Sequence, residues 1–321
     1  MRGISAHGSF VTARLQRILF AIVAAAGAAD IVWARAGHFD VDARAYGLLA
    51  LLAAALAGGG LYYTHIRKDE RLAAMLMATA FLIGMSASFS VLNYLLLTVA
   101  GQRIDWALAA LDRGLGVDWP AMMAWAARHP VTDMGLQLVY VSVLPQIAVL
   151  VLCLGFFGTT EQIYRLCISV AAGAAISIAV WTVAPSFGAF SVYDLPPNVA
   201  SHLALALDGR YAHELVNLLA HGPGRISPAA AKGLIGFPSY HAALALLVVW
   251  YARTIPVARW IALGVNSAVL IATPIQGGHH VVDVLAGFAV AVLAVRAADL
   301  AARFAARPAT AASLRIEPAG L

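Results

Sequence analysis

The sequence predicts an all-α fold: a polytopic membrane helical bundle of about eight transmembrane helices. Three observations predict it. Hydrophobic residues make up 62% of the chain and charged ones 12%, where a soluble domain averages roughly a quarter charged. Apolar runs near the 20 residues needed to cross a bilayer recur along almost the whole length. Arginine and lysine gather in the short segments between those runs, 67–71 and 253–259, as cytoplasmic loops do. The formal net charge of +5 therefore reads as membrane topology and not as nucleic-acid binding. Cys153 and Cys167 both lie inside apolar runs, which speaks against a disulfide framework, and no metal-type Cys/His spacing occurs.

Taken in order, the spans are 18–34, 46–64, 72–100, 134–157, 163–184, 240–255, 258–275 and 281–298. Residues 1–17 are too polar for a cleaved signal peptide, and the run after them lacks a small-residue cleavage site, so the first run reads as a retained helix. Residues 1–72 form an accessory two-helix segment. Asp30 lies inside its first span, where an acid is a functional-site hypothesis by default, although its place near the outer end allows simple hydration. The third span is long enough to tilt, or to bend near Gly84. Between it and the fourth, 101–133 is an amphipathic outward loop that reads as an interfacial helix packed on the bundle, with a lid as the functional alternative. Trp106, Trp119 and Trp125 in it suit the headgroup layer. Tyr140, Ser142 and Gln146 put polar atoms on the fourth span, better placed for interhelical hydrogen bonds than for substrate. Residues 185–237 are a long outward loop with a helical pattern over 203–219. Such a loop in a compact bundle is usually functional or locally folded. Its histidines, His202, His213 and His221, are irregularly spaced and do not read as a metal site. Pro256 marks the turn between the sixth and seventh spans.

Two stretches carry chemistry. Gly233–His241 reads Gly-Leu-Ile-Gly-Phe-Pro-Ser-Tyr-His, and Gly277–Asp283 reads Gly-Gly-His-His-Val-Val-Asp. Each opens an apolar run, and with the N-terminus inside both face outward on one side of the membrane. His279 and Asp283 stand four apart and share a helix face. The carboxylate can hold the imidazole in one tautomer and stabilise its charge. His241, on the other segment, can serve as a general acid. A lone histidine at a helix end is more often a hydrogen-bonded interfacial residue than a catalyst. The pairing of the two stretches is what raises the functional reading.

In that pairing the sequence resembles the type 2 phosphatidic acid phosphatase superfamily, and looks closest to the branch of inositolphosphorylceramide synthases and their bacterial relatives, the inositolphosphotransferases. Phe237-Pro238-Ser239-Tyr240-His241 is similar to the superfamily's second motif, and Gly278-His279-His280-Val281-Val282-Asp283 to the end of its third. Weaker likeness runs from about residue 105 to 295. The resemblance implies a six-helix phosphatase-type core within 73–302, followed by a cytoplasmic tail at 303–321. It implies a phosphohistidine intermediate on His279, with Asp283 orienting the ring and His241 protonating the leaving oxygen, and neither cofactor nor metal. The implied partner is a lipid substrate in the bilayer, met at the periplasmic face of an inner membrane, in sphingolipid or other lipid metabolism.

The sequence departs from the pattern where the family places its cations. No Lys-x6-Arg-Pro motif occurs, and six residues before His279 stands Thr273 in place of the usual arginine. Arg210, Lys232 and Arg225 are the candidate phosphate cations, in that order. Ser239 is a candidate cap and hydroxyl donor, and His280 a candidate headgroup contact. Gly236, Gly277 and Gly278 either admit a bulky headgroup or simply make tight loops. A phosphatase of isoprenoid or phosphatidate-type lipids is the nearest alternative function. A small-molecule transporter is the alternative from another class, but it leaves the two histidine motifs unexplained, and no internal repeat supports it.

Overall fold

The computed structural model describes residues 6–207 and 209–307, with the side chains of 6–9, 209, 210 and 212 left undescribed. Thirteen α-helices occur in this part of the chain: α1 (Ala6–Ala36), α2 (Ala43–Tyr62), α3 (Glu70–Leu96), α4 (Asp105–Gly114), α5 (Trp119–Ala127), α6 (Pro130–Val141), α7 (Val143–Phe157), α8 (Thr160–Val183), α9 (Pro197–Ala200), α10 (Gly209–His221), α11 (Tyr240–Ala252), α12 (Pro256–Gln276) and α13 (Val281–Ala306). Among the described residues there is no strand beyond one isolated bridge, Val41 to Ile226. Among the described residues six helices are long and apolar enough to cross a membrane, and the pair α6–α7 makes a seventh if it counts as one span. The one expected span left over, the sixth in chain order, is α11, an apolar helix of only 13 residues.

Local chemistry sets the helix starts. Asp42, Asp69, Asp118 and Ser239 cap α2, α3, α5 and α11 with their side-chain oxygens. Thr159 and Gln162 close a reciprocal capping box on α8. The fourth apolar run breaks into α6 and α7 with a bend of 52°. Pro145, three residues into α7, cannot donate to the carbonyl of Val141, and its ring crowds that carbonyl. The third run passes through Gly84 as one helix.

The core is built by α3, α8, α11 and α13, with α7 and α12 against α11. The α1 helix packs on α3, α8 and α13 and buries Leu15 and Leu19 completely, while α2 lies along α3 with little of itself buried. The starts of α11 and α13 approach so closely that a Cβ built on Gly287 meets the Ser239 carbonyl oxygen at 2.6 Å and the Ala242 Cβ at 2.8 Å.

The loop 101–133 is helical, but its polarity is the reverse of a simple surface helix. Asp105, Leu108 and Asp112 are buried on α4, whereas Trp106, Leu111 and Leu115 are exposed. Trp119 does not sit in a headgroup layer as expected. It is 1% exposed, and its indole donates to the Pro274 carbonyl at 2.9 Å, one of the carbonyls left unpaired at the end of α12. Gln146 behaves as expected, accepting from Asn266 of α12 at 2.8 Å.

The Gly287 contact yields a stability prediction. Gly287→Ala is expected to push α11 and α13 apart and to destabilise the bundle by about 1–3 kcal/mol, the usual cost of overpacking. Thermal unfolding in detergent, against Gly264→Ala as a control with no atom within 4 Å of the new Cβ, measures it.

Candidate active site

The site lies where the N-terminal ends of α11 and α13 meet. The Ser239 N–H donates to the Asp283 carbonyl at 3.0 Å, tying the two motif segments together. Ser239 caps α11, its Oγ accepting from the Ala242 N–H at 3.3 Å and its carbonyl from Ala243 at 3.2 Å. The first-turn N–H groups of Tyr240 and His241 have no intrahelical acceptor and stay available to an anion.

His279 is 4% exposed. Its Nδ1 is 2.9 Å from the Gly236 carbonyl oxygen and 3.3 Å from Asp283 Oδ2. Both neighbours are acceptors, so Nδ1 carries the proton and Nε2 keeps its lone pair. Nε2 stands 3.5 Å from Ser239 Oγ. The same Asp283 oxygen accepts the His280 N–H at 2.8 Å, which locks the carboxylate in place. Burial lowers the pKa of the His279 ring to about 4, against the pull of the Gly236 carbonyl, which favours the charged ring. The ring is thus held neutral at ordinary pH, with its Nε2 lone pair free.

His241 faces His279 with ring centroids 6.5 Å apart, and it stacks on Tyr140 at 4.6 Å with the two rings nearly parallel. The rings border a cavity of about 350 Å³ whose lining includes Asn93, Tyr140, Phe187, Tyr211, Gly236 and Gly277. Asn93 comes from α3 and presents a buried Oδ1 with no hydrogen-bond partner among the described residues.

The other sequence candidates fall at different distances. His280 is fully buried and turned away from the cavity, its Nδ1 3.6 Å from Asp112 Oδ2. Lys232 sits beside cavity-lining Gly233, pairs with Glu214 and lies 5.9 Å from the centroid of the Tyr211 ring, which puts it at the rim. Arg225 pairs with Asp42 at 3.2 Å, next to the Val41–Ile226 bridge and away from the cavity. Arg210 is in the first turn of α10, one residue before cavity-lining Tyr211; its side chain is outside the described residues. Among the described residues no Lys or Arg side chain lines the cavity.

Sequence reasoning missed the framework of buried acids behind the site. Asp112 accepts the N–H groups of Val281 and Val282 at 2.8 and 3.0 Å, capping α13 from a distant helix. Asp105 accepts from Ser186 Oγ and from the N–H groups of Phe187 and Gly188, and pairs with Arg103 at 2.8 Å. Asp133 accepts from Gln276 and from the Ala204 N–H. The available signal was the seven-residue spacing of Asp105 and Asp112, which puts both on one face with Leu108. The Gly236 carbonyl, as a backbone group, has no sequence signal.

Residues 106–297, more than half of the chain, match the family model described as the PAP2 superfamily. The chain belongs to that superfamily. Searches of curated proteins and of solved structures each return no match.

Two predictions follow from this geometry. A Cβ on Gly236 would meet the Ser186 carbonyl oxygen at 2.3 Å, so Gly236→Ala is expected to shift the carbonyl that holds His279. Turnover should fall by at least about tenfold, since small misplacements of a reacting group carry costs up to a hundredfold. Steady-state kinetics on protein shown to be folded checks it. The pH dependence has a definite sign. The depressed pKa keeps the His279 ring neutral as pH falls through the ordinary imidazole range, and the ring charges only as pH drops through about 4. The acid limb of kcat/KM assigned to His279 should therefore lie near pH 4 and not near 6.5, as read from a pH profile in the range where the protein stays folded.

Proposed function

We propose that this PAP2-superfamily protein is a membrane-embedded lipid phosphotransferase or phosphatase that works through a phosphohistidine at His279. The observation that carries the reading is the His279 ring, fixed through Nδ1 by Gly236 and Asp283, with His241 facing it across the cavity. In the proposed first half-reaction, Nε2 of His279 forms a bond to phosphorus as the bond from phosphorus to the leaving oxygen breaks. The leaving oxygen takes a proton from His241. In the second half, the acceptor hydroxyl gives its proton to His241, its oxygen bonds to phosphorus, and the N–P bond breaks. Asp283 balances the charge on the ring while the phosphoryl group is attached.

Charge on the non-bridging oxygens needs fixed donors. The free N–H groups at the start of α11 supply some. Lys232 at the rim supplies a cation close to the cavity, and Arg210, one residue before Tyr211, remains a candidate for another. Ser239 Oγ adds a hydroxyl close to Nε2.

The finer reading keeps the inositolphosphotransferase-like assignment: a phosphorylated headgroup passes to a lipid alcohol, as in sphingolipid synthesis, with the site on the periplasmic side of an inner membrane. Support for the orientation comes from the end of the bundle opposite the site. Lys68 and Arg71 lie at the start of α3, Arg165 in the first turns of α8, and Arg253 and Arg259 around the α11–α12 turn. That basic end suits the cytoplasm. Water in place of the lipid alcohol makes the same site a phosphatase.

The test uses purified protein and a labelled phospholipid donor, with and without a lipid alcohol. Wild-type protein is expected to trap label on histidine, and His279→Ala to lose both label and turnover. Retention of most activity by the folded His279→Ala variant overturns the assignment. Hydrolysis in place of transfer, which frees the phosphorylated headgroup from a phosphodiester donor or inorganic phosphate from a phosphatidate-type monoester, decides for the phosphatase. A second expectation separates the two histidines. The loss in His241→Ala should shrink severalfold or more with a nitrophenyl leaving group, because a general acid contributes about a hundred- to ten-thousandfold only where the leaving oxygen needs a proton. Single-turnover kinetics on acidic and alkyl leaving groups read it. For orientation, a cysteine near Pro197 should react with an impermeant thiol reagent in intact cells and one near Lys68 should not.

A further inference from the structure

A second and larger cavity, about 930 Å³, opens between α1, α2 and α3. Every residue lining it precedes the segment matched by the family model. Its size falls in the range of small-molecule sites. Half of the residues lining it are glycine or alanine, including Gly27, Gly47, Ala50, Ala54 and Gly84, so the helices leave a long smooth trough. Small residues alone would make only a lipid-facing groove.

The second observation is Asp30. It lines the same cavity, is 6% exposed, and its Oδ1 is buried without a hydrogen-bond partner among the described residues. The nearby Tyr46 hydroxyl does not satisfy it, being bonded to Ser90 at 3.0 Å. A carboxyl oxygen left in this state costs free energy that a donor from outside would remove. Five residues further along α1, roughly 7 Å at the helical rise, Arg35 lines the rim with His38. The cavity therefore presents three levels: a cationic rim, an unsatisfied acceptor beneath it, and an apolar trough below.

We propose that this cleft binds one membrane amphiphile whose headgroup–tail junction carries a hydrogen-bond donor, a hydroxyl or amide N–H. The donor sits on Asp30, the tail lies along the glycine and alanine wall, and an anionic group such as a phosphate meets Arg35 and His38. A lipid with only ester or ether oxygens at its junction fills the trough but leaves Asp30 unpaired. The site is independent of the phosphoryl-transfer reading.

The experiment uses the full chain in lipid nanodiscs and a single-chain phosphocholine probe with a diazirine near the tail end. One form keeps the free hydroxyl at the second glycerol carbon; the other carries a methyl ether there and is otherwise identical. Cross-links are mapped by peptide mass spectrometry. The hydroxyl form should label the α2 and α3 segments lining the trough severalfold more than the methyl ether. Asp30→Leu, which removes the acceptor, and Ala54→Phe, which fills the trough without touching the acid, should each reduce that labelling to the ether level. Equal labelling by the two probes, or labelling unchanged in both variants, would mean bulk lipid only and overturn the proposal. Cross-linking of a cysteine at position 54 to a second copy, with no lipid label, would assign the trough to a neighbouring helix and overturn it as well.

Discussion

The arrangement of the site depends on how the N-terminus of α13 is satisfied. A helix start carries backbone donors without partners, and here the chain supplies acceptors for them itself. Asp112 takes the N–H groups of Val281 and Val282, and Asp283 turns back to take that of His280. Each of these bonds lies in a buried setting, where a donor left unpaired would cost about 1–3 kcal/mol. Fixing that end fixes the backbone of His279 just before it. The same Asp283 oxygen then reaches the imidazole. One carboxylate thus sets both the helix start and the ring.

This has a consequence for how an anion can be held. Because acids already occupy the donors of α13, that helix end has little left for phosphate. The neighbouring start of α11 differs: Ser239 satisfies Ala242 and Ala243 and leaves two N–H groups open. The two helix ends have divided the work, one used to build and one left to bind. The buried acids Asp105, Asp112 and Asp133 are likewise turned toward backbone and side-chain donors, so their charge is tied up in loop anchoring behind the cavity.

The parts of the site that were legible in the sequence are those carried by side chains at short spacing. His279 and Asp283 do meet, although His279 precedes α13 and it is Asp283 that reaches back over the helix start to it, and His241 does face them because the two motifs open neighbouring helices. What stayed hidden acts over long separations or through backbone. Asp112 caps a helix 169 residues away, and the Gly236 carbonyl shares the His279 proton with Asp283. The amphipathic stretch around α4 was visible, but its inward face was not: hydropathy turns acids toward water, whereas here donors at the bundle end outweigh that preference. Trp119 was misplaced for a related reason, since an indole can satisfy a helix-end carbonyl as well as an interface. The break at Ser142 was readable from Pro145.

The brevity of α11 bears on where chemistry takes place. Thirteen residues rise only about 20 Å, against roughly 30 Å of hydrocarbon in a bilayer. With the Arg253 end held at the aqueous boundary, the His241 end stops well below the opposite headgroup plane. In the proposed reaction, a phosphoester drawn to that depth leaves bulk water behind while its tails stay in the oily phase. Under that reading hydration at the site becomes a property of the cavity walls, and the competition between water and a lipid alcohol is set by which of them can follow the substrate inward.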